Sequence, residues 1–479
     1  SFSSREYHKF STASLITRST NDVQQVQQVM AMMFRIVLYA PILGIGGVLK
    51  VLNTDSSMTW ILGVAVGLIL IVIFVLFQVA MPKFTILQTL IDRLNLVSRE
   101  ILTGIPVIRA FSREKHEEDR FEKANLDLTK TNLFVNRCMT FMMPIMMLIM
   151  NGVSVLIIYS GAHAVDNGTM QVGNVMAFIQ YAMQIIMSFL MITAMSIMLP
   201  RANVAALRID EVLKTEVSIQ DPETPVHPSE NVKGEIEFDH VSFAYPEAGE
   251  NVLTDISFKA KKGQTIAVIG STGSGKSTLI NLIPRYYDVT KGSVKVDGVD
   301  VRDMTQKELR DKLGYVPQKG VLFSGTIDSN IRYGKPEITD AQVKEAAEVA
   351  QATEFIDTKP EKYESPVSQG GTNVSGGQKQ RLSIARAIAK DPEIFIFDDS
   401  FSALDFKTDS QLRKALKEYT KDATTVIVAQ RISTILGADQ IIVLDDGHMA
   451  GIGTHKELMA NCEVYQQIAR SQLSEEELA

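Results

Sequence analysis

Residues 174–200 contain no charged side chain, and neither do residues 60–80. Residues 139–164 carry His163 as their only ionisable group, with Pro144 near their start, and residues 23–49 carry only Arg35. Each run is about as long as the roughly 20 residues that cross a bilayer. In hydrocarbon every backbone N–H and C=O must be paired within the protein, which predicts transmembrane helices. The spans are placed near 23–49, 58–81, 139–164 and 174–200. Arg35, close to one end of its run, can snorkel to the surface or face a partner helix. Met176, Met183, Met187, Met191, Met195 and Met198 fall largely on one face of the last span. Helix packing or lipid contact explains that stripe better than an adaptable ligand surface.

The connections set the orientation. Residues 53–57 and 166–173 are short and lack Lys and Arg, whereas 83–137 is long and rich in both signs. The excess of positive charge places 83–137, and both flanks of the four spans, in the cytoplasm. Charges that alternate at helical spacing predict helices continuing far beyond the bilayer. Gly104 and Pro106 are predicted to break them. The apolar stretch 105–111 suits docking onto another domain, or equally a plain helix–turn–helix.

Residues 208–233 lose the apolar periodicity and gain Pro222, Pro225 and Pro228, which marks a linker. The 479 residues therefore divide into a membrane domain, 1–207, the linker, and a second domain, 234–479. A net charge of -7 argues against a nucleic-acid partner held by charge. Two cysteines, Cys138 and Cys462, make no disulfide framework and fit a reducing interior. No cleavable signal peptide is visible.

The second domain contains a phosphate loop. Gly270, Ser271, Thr272, Gly273, Ser274, Gly275, Lys276, Ser277 and Thr278 fit G-x-x-x-x-G-K-[ST]. The apolar run 265–269 before it reads as a buried strand and 279–282 after it as a helix start, the context the motif needs. Glycines let successive N–H groups wrap an anion, and the helix N-terminus adds partial positive charge. Lys276 supplies a point charge for the β- and γ-phosphates and Ser277 a hydroxyl for Mg²⁺. Strand-like stretches at 235–238, 241–245, 252–259 and 294–296, with helices beyond Pro317, imply an α/β domain. Asp398 ends the apolar strand 393–397, where a carboxylate can hold Mg²⁺ or its water. Ser375, Gly376, Gly377 and Gln378 open a helix running to about Ala389, with Ser375 a good N-cap.

Over nearly its whole length the chain resembles the ATP-binding cassette (ABC) exporters. Residues 270–278 match the Walker A loop, 394–398 the Walker B strand, and 374–378 the signature motif with Val374 for the usual Leu. Gln318 matches the Q-loop, which in that family touches Mg²⁺ and faces the membrane domain. Tyr245 matches the aromatic residue that stacks on adenine, and residues 402–405, ending in Asp405, the D-loop. Residues 105–111 look like the second coupling helix, and 7–10 lie near the expected first. The resemblance implies a type I exporter fold, an all-α transmembrane domain with long intracellular extensions plus an α/β P-loop domain. It also implies ATP and Mg²⁺ as ligands and a small-molecule export substrate. The location it implies is a multi-pass one in the cell membrane, a bacterial plasma membrane, with the nucleotide-binding domain cytoplasmic. By the same resemblance the four spans are the third to sixth of six, and the first two helices are expected in a longer chain.

Two positions depart from the family pattern. Asp399 stands where Glu, the general base, is usual, and Gln430 where the H-loop His is usual. Residues 367–369 also depart from the acidic X-loop. Asp is one methylene shorter, and a misplacement of about 1 Å can cost around a hundredfold in rate. Glutamine can bond a γ-phosphate but cannot become cationic. Both changes fall on one catalytic step, while the binding loop and signature stay intact. That pattern is similar to the degenerate-site half of heterodimeric bacterial multidrug exporters. It implies a second half-transporter, with Glu and His at those places, whose own site is completed by Ser375 to Gln378 here. A homodimeric exporter or lipid flippase, and an ATP-gated membrane subunit that does not pump, remain the alternatives.

Overall fold

In a computed structural model the chain forms two compact units, Thr12–Thr215 and Ser1–Ser11 with Glu216–Ala479. Residues 2–33, 36, 38–54, 58–229, 231–246 and 249–473 are described. A short helix, α1 (Ser4–Lys9), belongs to the second unit.

The first unit is helical. It contains α2 (Thr12–Thr17), a π-helical turn at Arg18–Asp22, α3 (Val23–Met33), α4 (Tyr39–Thr54), α5 (Thr59–Ala110), α6 (Glu114–Asp166) and α7 (Val172–Leu213). Helices of 52 and 53 residues are about 80 Å long, against a hydrocarbon core of about 30 Å. Both helices are therefore long enough to continue far beyond a bilayer, as the alternating charge predicts. Among the described residues three helices are long and apolar enough to cross a membrane, over Thr59–Ala80, within Glu114–Asp166, and over Val172–Ile192. The run 23–49 is represented by α3 and the shorter apolar α4; Arg35 and the side chain of Met195 lie outside the described residues. Ile61, Ile157, Phe178 and Ile185 pack into a buried centre. Phe74, Met147, Leu148 and Met176 stay exposed, an apolar surface of the kind lipid covers.

The break expected at Gly104 and Pro106 is not there. α5 runs through both Pro82 and Pro106 and ends at Ala110. A proline forfeits one ladder bond but does not by itself choose where the chain turns. The turn is made six residues later, by Ser112 at φ 51. Arg113 N donates to Ile108 O at 2.9 Å and Ser112 N to Arg109 O at 3.2 Å, closing a Schellman-type end. Glu114 and Glu117 then favour the N-terminus of α6.

The second unit carries two larger sheets. β1 (Ile236–Phe243), β2 (Leu253–Ala260), β4 (Lys291–Val296) and β5 (Val299–Asp300) form an antiparallel sheet in the order β2-β1-β4-β5. The stretches read as two strands, 235–238 and 241–245, are one strand, β1, with a bulge where His240 has φ 49. The bulge shifts the register between Phe238 and Val241, which is why the apolar alternation looked interrupted. β3 (Thr265–Gly270) leads into α8 (Lys276–Leu282), and α9 (Gln306–Asp311) precedes β6 (Leu313–Val316). A helical layer follows: α10 (Ile327–Ile331), α11 (Asp340–Val349), α12 (Thr353–Asp357) and α13 (Gly376–Ala389), with a small ribbon of β7 (Gly325–Thr326) and β8 (Pro366–Val367). Then come β9 (Ile394–Asp398), α14 (Phe406–Tyr419), β10 (Thr424–Val428), α15 (Ile432–Ile435), β11 (Gln440–Asp445), β12 (His448–Gly453), α16 (His455–Asn461) and α17 (Glu463–Gln472). The second sheet has the order β12-β11-β3-β10-β9-β6. β9 and β10 are buried at every residue, as strands covered on both faces must be.

Candidate functional site

The strands β3, β10, β9 and β6 are neighbours and parallel, so their C-terminal ends open on one edge. Open α/β sheets bind ligands outside that edge. Val268, Val428, Asp398 and, through Phe397, Val316 lie nearly level across the sheet. A residue or two further along each strand come the phosphate loop, Gln430, Asp399 and Gln318. Elements far apart in sequence are thus delivered side by side.

Ser277 Oγ donates to Asp398 Oδ1 at 3.0 Å. Asp399 Oδ2 accepts from Gln430 Nε2 at 2.7 Å and from Gln318 Nε2 at 3.3 Å. Lys276 Nζ donates to the carbonyls of Gly270, 2.9 Å, and Ser271, 2.6 Å, across the mouth of the loop. Asp399 holds φ 45, a conformation uncommon outside glycine, and its N–H donates to Val428 O at 3.0 Å. Burial pushes the Lys276 ammonium pKa down, against the pull of Asp399 and Asp398. Burial pushes the Asp398 carboxyl up; the Ser277 hydroxyl opposes that, Asp399 adds to it, and Lys276 again opposes. A half-buried lysine beside two buried carboxylates makes a site whose charges are incompletely paired within the protein.

The loop fits a nucleotide phosphate. Ser274 Oγ is buried and without a partner among the described residues, an orphan that a phosphate oxygen would satisfy. Gly275 has φ 96, and a Cβ there would come within 2.8 Å of Leu253, so only glycine lets the backbone turn at this point. Ser271, Thr272 and Ser277 are exposed at the mouth. The groups that could hold Mg²⁺ are the Ser277 hydroxyl, the Asp398 carboxylate and the Gln318 amide oxygen. Among the described residues no cluster of three His, Cys, Asp or Glu forms a metal cage. Mg²⁺ needs none, because it takes one or two carboxylates and fills its other positions with phosphate oxygens and water.

Tyr245 is half-buried, and its hydroxyl lies 3.0 Å from Thr278 Oγ1, fixing the ring beside the loop. Its ring meets Phe243 and Tyr287 edge to face, at 4.9 Å and 5.2 Å between centroids. Ser375 caps α13 as expected: its Oγ accepts from Gln378 N, and Gln378 Oε1 accepts from Ser375 N. Ser375 and Gly376 are exposed and these bonds are local, so that end faces outward. Asp405 caps α14, accepting from Thr408 N at 3.0 Å, which holds its carboxyl below the usual range. Sequence reasoning missed Gln380. It is buried in α13, and its amide spans the two sides of the loop that carries Gln318. Its residue type gave little signal, because α13 also buries the polar Ser383 one turn further on.

Two family descriptions match the chain: ABC transporter over residues 253–402 and ABC transporter transmembrane region over residues 1–189. An uncharacterized ABC transporter ATP-binding protein of Mycobacterium tuberculosis is 43% identical over 474 residues, which are 98% of this chain and 81% of that protein. A fatty acid ABC transporter ATP-binding/permease protein of the same species is 33% identical over 457 residues, 95% of this chain and 72% of its own. The structure of a bacterial Atm1-family ABC exporter with ATP bound superposes with a TM-score of 0.75 at 26% identity, covering 96% of this chain and 82% of that one. With a phosphate loop at the edge of a parallel sheet, a capped signature helix and membrane-length helices in one polypeptide, this chain belongs to the ABC transporter family, as an exporter with a transmembrane and an ATP-binding domain.

Proposed function

We propose that this chain is one half of a heterodimeric export pump, binding ATP at its own phosphate loop and hydrolysing it slowly. One observation carries the reading: Asp399 Oδ2, an oxygen of the residue in the base position, already accepts amide protons from Gln430 and Gln318. A base takes a proton from water with a lone pair, and two amide donors already occupy that oxygen, so an attacking water would have to displace one of them. The Asp side chain is also a methylene short of the usual Glu, and Gln430 cannot turn cationic to meet the developing phosphate charge. Mg²⁺, when bound, neutralises charge on the phosphates, and Ser277, Asp398 and Gln318 would hold it.

The other half of the reading concerns Ser375 to Gln378. In the family each ATP lies between one chain's phosphate loop and the other chain's signature. The exposed, capped end of α13 suits that role toward a partner with Glu and His at the two altered places. ATP would close the cassettes, and segments 7–10 and 105–111 would pass the motion to the spans. The exposure of Val107 and Phe111 supports a docking role for the second of these. The relative named for fatty acid transport supports apolar or amphipathic cargo, the class multidrug exporters carry.

The test is the protein purified from cells lacking any companion half-transporter. It should bind ATP and turn it over at most about a hundredth as fast as the assembled pair. Brisk ATPase from the pure homodimer would end the heterodimer reading. In inverted vesicles holding both chains, ATP-dependent dye uptake should vanish when the partner's base is removed. Uptake that persists would also contradict the proposal.

A further inference from the structure

Gln318 meets Asp399, but nothing in its own loop explains why it stays there. The loop leaves β6 at Val316 and passes through Pro317, Gln318, Lys319 and Gly320. Its two ends are held from outside, by one side chain. Gln380 Nε2 donates to Pro317 O at 3.1 Å, and Gln380 Oε1 accepts from Gly320 N at 2.9 Å. Gln380 is only 2% exposed. The amide thus spends a donor and an acceptor on the backbone either side of Gln318. Gly320 completes the fit, since a Cβ there would sit 2.9 Å from the backbone of Lys379, the residue before Gln380.

Gln380 lies on α13, little more than one turn after Ser375. A helix turn is stiff, so a displacement of the capped end of α13 reaches Gln380 nearly undiminished. From there it passes through two buried hydrogen bonds to the loop and through Gln318 to Asp399. Buried bonds to backbone are costly to leave unmade, so the loop must follow the helix rather than detach.

We propose that Gln380 is a positioning residue that locks the Gln318 loop to the signature helix, so that the signature end and the Asp399 centre of one chain move together. It acts through Gln318 and touches no ligand. The lock itself is internal to this chain. That it links two ATP sites rests on the reading above, in which Ser375 to Gln378 serve the partner's ATP.

The test uses the assembled exporter in lipid nanodiscs, with Gln380→Leu, Gln318→Ala and the double variant. Gln380→Leu removes both bonds at similar volume, and Gln380→Glu restores only the acceptor for Gly320 N–H. Gln380→Leu should speed amide exchange at Gly320, lower kcat about tenfold and leave KM for ATP within about twofold, because the phosphate loop is untouched. Adding it to Gln318→Ala should cost nothing further, since both act on one contact. Gln380→Glu should recover Gly320 protection but not the rate. Additive losses in the double variant, or an unchanged kcat in Gln380→Leu, would overturn the proposal. If Gln380→Leu instead lowers the thermal midpoint and raises KM together, the residue is merely structural and the proposal falls. Failure of the shared-site reading looks different: Gly376→Glu would then leave turnover unchanged while the Gln380–Gln318 coupling persisted.

Discussion

A carboxylate that accepts a proton from water needs an oxygen in reach of that water and free of strong donors. Asp399 Oδ2 holds a 2.7 Å bond from Gln430. Extending the side chain alone, Asp399→Glu, leaves the amide to follow or to lose its partner. Supplying a chargeable donor alone, Gln430→His, leaves the carboxylate short. The double change should therefore raise kcat at this chain's site by at least about tenfold over the sum of the singles, a coupling measured by a double-mutant cycle on single-site turnover. Full recovery from Asp399→Glu alone would show that the two positions are independent. Each departure was legible in the sequence as an odd residue in a known motif. Their contact was not, because it depends on β10 lying next to β9 across 31 residues of chain.

At the scale of elements, legibility followed the chemistry of the ends. α13 could be bounded from Ser375 to Ala389 because a hydroxyl with Gln378 three residues on is a capping signal. The end of α5 could not, because its left-handed residue is Ser112 rather than glycine, while Gly104 and Pro106 advertise a break the helix does not make. α1 was legible only by resemblance, and its attachment not at all. Glu6 Oε2 accepts from Ser3 N at 2.7 Å and Oε1 from Ser218 N at 3.2 Å, tying α1 to the linker. Burial would raise the Glu6 pKa, but the hydroxyls and N–H groups of Ser3 and Ser218 outweigh it and pull it down to about 2 from 4.5. A depressed carboxyl pKa contributes stability that is complete above the unfolded value and lost as pH falls through the folded one. The clasp should therefore hold at neutral pH and loosen between pH 4.5 and about 2. The protection factor at Ser218, exchange corrected for its intrinsic pH dependence, should fall across that window, and in Glu6→Gln it should be lower at neutral pH and flat. An unchanged Ser218 rate in Glu6→Gln would show that other contacts hold α1.

At the scale of the whole molecule, the two families of nucleotide residues in one chain should separate by experiment. In the proposed reading Lys276 and its loop serve the ATP bound by this chain, whereas Ser375 and Gly376, exposed at the start of α13, serve the partner's. If the chain is the slow half, removing its grip and spoiling its signature have unequal consequences. Lys276→Ala removes a phosphate-binding charge, so it should empty this chain's site in a photolabelling assay. Turnover should then persist in part, because the faster site keeps all its own groups. Gly376→Glu sets a negative side chain at a helix N-terminus where phosphate must approach, so it should abolish most turnover of the pair. It should nevertheless leave labelling of this chain's own loop intact. The order of the two losses is the discriminating quantity, because a pair of equal sites would lose comparable activity from either substitution. Equal losses would return the molecule to a symmetric exporter, with Asp399 and Gln430 as two slow but equivalent centres.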